Sequence, residues 1–129
     1  MISIVAECST LYDQLKVRKL KYIIFALSDD NKSIIIHKSS ESPNYEDFLR
    51  EFPSDDCTWA VYRLENQGEN KICFYSWLPD GANVEVRIMY TSFNDVLRRH
   101  LAGVAVDIYG TDASDLSYKL VMNQILSFK

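Results

Sequence analysis

The sequence predicts an α/β fold of the α+β kind: a five- to six-stranded mixed sheet sandwiched between helices. Two observations carry this. Along the chain the segments read helix, two strands, helix, two strands, long helix, strand, helix, the order of a mixed sheet with helices on both faces. The strand segments, such as Tyr22-Ile-Ile-Phe-Ala-Leu27, are apolar at consecutive positions, so both faces must be covered. At 129 residues, with no repeat, low-complexity tract or Pro/Gly-rich linker, residues 1–129 are expected to form one domain with a real core.

Each element has a local reason. Ser3 to Cys8 reads as an N-terminal arm. A first helix is expected over Glu7 to Lys19, with Cys8, Leu11, Tyr12 and Leu15 at helical spacing. Tyr22 to Leu27 is a β-branched and aromatic strand. Ser28-Asp-Asp-Asn31 supplies turn chemistry, and Ile34-Ile-Ile36 begins the return strand. Ser42-Pro43 suits the N-cap and first position of a helix. Glu46 and Asp47 then sit in its first turn, and Tyr45, Phe48, Leu49 and Phe52 form its apolar side. Thr58 to Leu64 and Ile72 to Trp77 are two further strands joined by the loop Glu65 to Asn70. Val104 to Tyr109 is the fifth strand, and Ser114 is expected to cap a last helix running to about Leu126.

The longest helical pattern follows Pro79-Asp80-Gly81. At 3.6 residues per turn, Val86, Met89, Tyr90, Phe93, Val96, Leu97 and Leu101 share one broad stripe. Arg87, Thr91, Asn94 and Arg98 line one edge of the opposite side. Val84, Ile88, Asp95 and Arg99 point most directly away from the stripe. Two apolar residues a turn apart on the outward side, flanked by Arg87, form a small hydrophobic patch with a basic rim, which is the chemistry of a docking surface.

Composition excludes several classes. The net charge of −4 argues against a general nucleic-acid binder. No apolar run approaches a membrane span, and Met1 to Ala6 is too short and lacks the basic start of a signal peptide, so a cytosolic location is expected. Cys8, Cys57 and Cys73 are odd in number and lack metal-like spacing; reduced, partly buried thiols follow. His37 and His100 stand apart from Cys or carboxylate partners, the four glycines are scattered, and no nucleophile–base pair can be argued. An enzyme is not expected, nor any cofactor.

The order of elements and a series of residues together resemble the ADF/cofilin family, the actin-depolymerising factor homology domain of gelsolin-like architecture. The matching stretches are Leu15-Lys16 with Lys19, Tyr22-Ile-Ile-Phe25, Tyr45-Glu-Asp-Phe-Leu49 and Asp56-Cys-Thr-Trp-Ala-Val-Tyr62. They continue with Lys71-Ile-Cys-Phe74, Trp77-Leu-Pro-Asp80, Met89-Tyr90, Asp95, Leu97-Arg-Arg99 and Gly110-Thr-Asp112. The resemblance covers essentially the whole chain. It implies a monomeric, cytoplasmic protein of the actin cytoskeleton that binds actin monomers and promotes filament disassembly and turnover.

The resemblance also assigns surfaces. It implies a monomer site made by Ser3 and Ile4 of the arm and by Val84, Arg87, Ile88, Thr91, Asp95, Arg98 and Arg99 of the long helix, with Ile88 entering an apolar cleft of actin. From Arg87 to Arg98 the basic edge spans about 16 Å. It implies a filament-side site at Glu65, Glu69 and Lys71 of the hairpin loop and at Lys119, Asn123 and Gln124 of the last helix, with Ser127 and Lys129 beyond. Ser3 falls on a regulatory phosphorylation position, although Ile4 stands where a glycine usually follows. Lys16-Val-Arg-Lys-Leu-Lys21 is implied as a phosphoinositide contact; read from the residues alone, it is a solvated helix end feeding a strand.

Departures from the family pattern matter. Glu85 and Asn94 stand at usually basic positions and together remove about three positive charges from the interface, which mainly slows association. The hairpin loop is acidic where basic residues are usual, and Asn123, Gln124 and Ser127 replace charged positions. Weak filament-side binding and severing are therefore expected. The alternative is a regulator of the actin-branching complex resembling glia maturation factor, without direct actin binding; Arg87, Ile88, Arg98 and Arg99 favour the first reading.

Overall fold

Among the described residues six strands form one sheet, in the spatial order Ser3–Ile4, Ser33–Ser40, Tyr22–Leu27, Thr58–Asn66, Glu69–Trp77 and Val104–Gly110. The computed structural model describes residues 2–126. The strands are β1 (Ser3–Ile4), β2 (Tyr22–Leu27), β3 (Ser33–Ser40), β4 (Thr58–Asn66), β5 (Glu69–Trp77) and β6 (Val104–Gly110). The helices are α1 (Ala6–Lys16), α2 (Tyr45–Leu49), α3 (Val84–His100) and α4 (Tyr118–Leu126), with a 3₁₀ turn at Ala113–Leu116. β2, β3, β4 and β5 pair antiparallel, whereas β1 on β3 and β6 on β5 are parallel. The mixed sheet expected from the sequence is therefore present, with all six strands.

The central strands are buried on both faces, and their side chains divide between two cores. On one side Ile23, Phe25, Trp59, Val61 and Phe74 pack with Cys8, Tyr12 and Leu15 of α1 and with Tyr90 and Leu97 of α3. On the other, Tyr22, Ile24, Tyr62, Cys73 and Tyr75 pack with Tyr45 and Phe48 of α2 and with Val121 and Ile125 of α4. Edge strand β6 departs from the both-faces expectation. Val106, Ile108 and Gly110 are buried, while Ala105, Asp107 and Tyr109 are exposed, the alternation of a half-covered strand.

Several boundaries differ from the sequence expectation. The arm is not free at its start: Ser3 and Ile4 pair in parallel with Ser33 and Ile34. α1 ends at Lys16, because Arg18 takes a left-handed conformation, φ 69°. α2 is capped by Asn44, whose side chain accepts from the Glu46 N–H. Ser42 instead donates to Asp47 at 2.5 Å, because its hydroxyl lies one turn before the helix. The expected Glu65–Asn70 loop is mostly strand. β4 and β5 stay paired out to Asn66 and Glu69, and only Gln67 and Gly68 turn, with φ of 53° and 83°, as a two-residue hairpin requires. Asp112, not Ser114, caps the C-terminal segment, with a reciprocal capping box through Asp115. That segment is a 3₁₀ turn followed by α4.

The approach to α3 is fixed by close packing. Trp77 donates its indole N–H to the Pro53 carbonyl at 2.6 Å. At Gly81 a Cβ would collide with the Ser54 carbonyl oxygen, so only glycine lets the chain pass this close. Asn83 then caps α3 by accepting from the Glu85 N–H at 2.8 Å.

Candidate functional site: the outward face of the long helix

α3 holds to the sheet through Tyr90, Leu97 and the following Leu101, all buried. Tyr90 stacks at a tilt on Trp59, centroids 4.3 Å apart, and its hydroxyl oxygen accepts from the Leu27 N–H at 3.0 Å. These anchors turn the opposite side to solvent. Val84 is 63% exposed and Ile88 60%. A groove of about 400 Å³ beside them is lined by Leu78, Val84, Arg87, Ile88, Thr91 and Ser92. The structure thus brings four of the expected monomer-site residues together and adds Leu78 and Ser92, which sequence reasoning missed. Leu78 follows β5 in sequence, and only the fold sets it beside α3.

The basic edge is less free than its sequence suggests. Arg98 makes a bidentate contact with Asp107 on β6, Nε at 2.7 Å and Nη2 at 3.4 Å. Arg87 lies 3.9 Å from Asp80, and its Nε is buried without a hydrogen-bond partner among the described residues. Arg99 and Asp95 are exposed. The His100 Nε2 lies 2.6 Å from the Ser9 hydroxyl and ties the end of α3 to α1.

Asn94 corrects the wheel. Rather than lining the solvent edge, its side-chain oxygen accepts from the Trp59 indole at 3.1 Å and from the Ser76 hydroxyl at 2.6 Å. Tyr90, Leu97 and Leu101 centre the buried stripe, and Asn94 is only about 40° from Tyr90 around the helix. Val96, about 120° away on the other side, is exposed and not part of the core. The angular distance to Tyr90 and Leu101 was the signal that could have placed both.

Ser3 is exposed on β1, with its hydroxyl 2.9 Å from that of Ser33 and directed also at the Lys32 carbonyl. Ile4 beside it is half-buried. Lys16, Arg18 and Lys19 are exposed around the end of α1. Lys21 is half-buried, with its ammonium over the Tyr62 ring; burial and the nearby Arg63 charge lower its pKa.

The second surface lies at the β4–β5 tip and along α4. Arg63, itself buried, bonds Glu65 at 2.9 Å and Asn70 at 3.0 Å. Lys71 faces Glu69 at 3.9 Å. On α4, Lys119, Asn123 and Gln124 are exposed, beside Tyr118, Leu120 and Leu126. Ser127 and Lys129 lie outside the described residues.

The thiols are built for packing. Burial pushes Cys8 up to about 11, helped by Glu7, and Cys73 up to about 12. Burial and Asp56 push Cys57 up to about 11 against the pull of Arg87. All three are free and buried, and thiols with pKa values this high are poor nucleophiles at neutral pH. No described helix is long and apolar enough to cross a membrane.

A mixed sheet between helix pairs, with a capped helix presenting an apolar and basic face, defines a protein-binding module. The sequence model for cofilin/tropomyosin-type actin-binding proteins matches residues 1–126. Cofilin of Mycosarcoma maydis is 38% identical over 96% of this chain and 94% of its own length. Cofilin of Saccharomyces cerevisiae is 37% identical over 96% and 92%. The crystal structure of Streptomyces griseoflavus cofilin superposes with a TM-score of 0.94 at 43% identity, covering 97% of each chain. The chain belongs to the ADF/cofilin family of actin-binding proteins, a family of actin regulators and not of enzymes.

Proposed function

We propose that this chain, acting as a single monomeric ADF-homology unit, binds actin monomers through the outward face of α3 and promotes filament disassembly in the cytoplasm. The observation that carries this reading is the pair Val84 and Ile88, more than half exposed one turn apart beside the Leu78–Arg87–Thr91 groove. Two exposed apolar side chains one turn apart with an arginine at their edge have the make-up of a docking patch. Ile88 enters an apolar cleft, Arg87 and Arg99 meet acidic groups at its rim, and Asp95 and Arg98 extend the contact along the helix. Ser3 and Ile4 supply the second grip, and a phosphate on the exposed Ser3 would repel an acidic partner.

Filament-side binding through Glu65, Glu69, Lys71, Lys119, Asn123 and Gln124 is weaker, because the hairpin charges pair with one another and the described part of α4 offers one cation. Lys16, Arg18, Lys19 and Lys21 are a secondary contact for phosphoinositide headgroups. The test measures monomer binding and filament co-sedimentation, each across a salt series. Tight monomer binding with weak co-sedimentation supports the reading, and equal affinity for both forms overturns the second half of it. The engagement of Arg98 by Asp107 favours one competing reading, regulation of the branching complex without actin binding. A pull-down with monomeric actin against that complex separates the two.

A further inference from the structure

We propose that Asn94 is a positioning residue for the actin-facing surface of α3, an inference that rests on the reading of that surface given above. Its side-chain oxygen takes two donors from two adjacent strands, the Trp59 indole N–H on β4 at 3.1 Å and the Ser76 hydroxyl on β5 at 2.6 Å. The orientation of the amide is chemically determined, because an indole N–H can only donate. Asn94 is half-buried, so neither donor can exchange this acceptor freely for water.

The position of this tie gives it leverage. Within α3 only Tyr90 and Leu97 are buried, and Asn94 lies between them in sequence. Val86 and Phe93, partly buried against the core, hold one flank of the helix by apolar packing, which is non-directional. Asn94 projects about 40° to one side of Tyr90 and is held from two points on the sheet, so it opposes rotation of the helix about its axis. Such rotation would swing Val84 and Ile88 around the axis and re-aim the outward face. Ser76 also pairs with Tyr109 of β6, two residues from Asp107, which holds Arg98. The Arg98–Asp107 pair on that side is partly exposed and contributes little, so the hold on this flank falls to Asn94. The chain spends this position on the pose of the helix, where a cation would have served the rim.

The test compares Asn94→Leu, Asn94→Asp, Asn94→Lys and the double variant Asn94→Leu with Ser76→Ala, by monomeric-actin affinity and by thermal unfolding, at a temperature where every variant is folded. Aspartate keeps the acceptor, and at high salt, where its added charge is screened, binding stays within about twofold of the unsubstituted chain. Leucine abolishes it and weakens binding by about tenfold. Lysine adds a charge suited to an acidic partner yet also weakens binding, because it cannot accept from Trp59 or Ser76. In the double variant, removing a donor as well as the acceptor recovers stability but not affinity; a merely structural role would recover both. Emission of Trp59 shifts in the leucine and lysine variants and not in the aspartate one.

Lysine binding more tightly than asparagine, or leucine binding as well as asparagine, overturns the proposal and leaves the actin reading standing. An unsubstituted chain that does not bind monomeric actin overturns both.

Discussion

The α3 face and the β4–β5 tip are both charged, exposed and joined to the same sheet, yet they handle charge in opposite ways. At the tip, Glu65 and Glu69 sit within ion-pair distance of Arg63 and Lys71, so the hairpin satisfies its own charges and offers little field to a partner. On α3, Val84 and Ile88 have no apolar cover and Arg99 has no ion pair among the described residues; the helix leaves its groups unspent. The difference shows that residue type alone does not make an interface. What matters is whether the local fold has already used the side chain. Arg98, bound to Asp107, shows the principle operating inside the α3 face itself.

The largest effect expected is at Ile88. Ile88→Asp removes apolar burial of roughly 1.5–3 kcal/mol and adds the cost of taking a carboxylate out of water. Monomer affinity should fall about a hundredfold, read by sedimentation equilibrium or a fluorescent-actin titration. The exposed position leaves the melting temperature unchanged. If Ile88→Asp bound as well as the unsubstituted chain, the two surfaces would not differ in the way described.

Ser3→Asp should weaken monomer binding about tenfold, by placing a negative charge on the exposed β1 against an acidic partner. The same change should leave the β4–β5 tip indifferent. An equal loss of filament co-sedimentation and monomer binding would mean that the arm serves both surfaces.

Asp107→Asn tests the divided state of Arg98. Removing the carboxylate leaves the guanidinium, about one-third exposed, free to meet an acidic group. Exposed ion pairs contribute about 0–1 kcal/mol to stability, so the fold should barely change. Monomer binding should tighten about threefold, mostly through association rate and with a steeper salt dependence. Unchanged binding would place Arg98 outside the contact.

Much of this was legible in the sequence because it depends on local chemistry. The consecutive apolar residues of β2 and β5 announced a sheet covered on both faces, and Val84 and Ile88 announced themselves by standing opposite Tyr90 and Leu97. What escaped depends on contacts distant in sequence. β1 is a strand only because β3 lies beside it. Asn94 is polar and therefore read as a surface residue, until Trp59, 35 positions earlier, is brought to it. The Arg98–Asp107 pair needs β6 parallel to β5 beneath α3. Leu78 joins the groove for the same reason.

The smallest effect is expected at the tip, and it is the most direct probe of self-satisfied charge. Glu69 and Lys71 are both exposed and lie 3.9 Å apart, a pair that water and salt largely screen. Glu69→Lys releases Lys71 and adds two positive units at the end of a hairpin paired out to Asn66. Filament co-sedimentation should rise about twofold at low salt and return to the starting value as salt is raised. Monomer binding should not move, because Glu69 contributes nothing to the Val84–Ile88 groove. A rise in both would join the two surfaces into one electrostatic field. No rise at all would mean that the limit on the filament side lies in α4, where Asn123 and Gln124 present amides and Leu120 presents hydrocarbon. Gln124→Arg would then be the substitution that restores it.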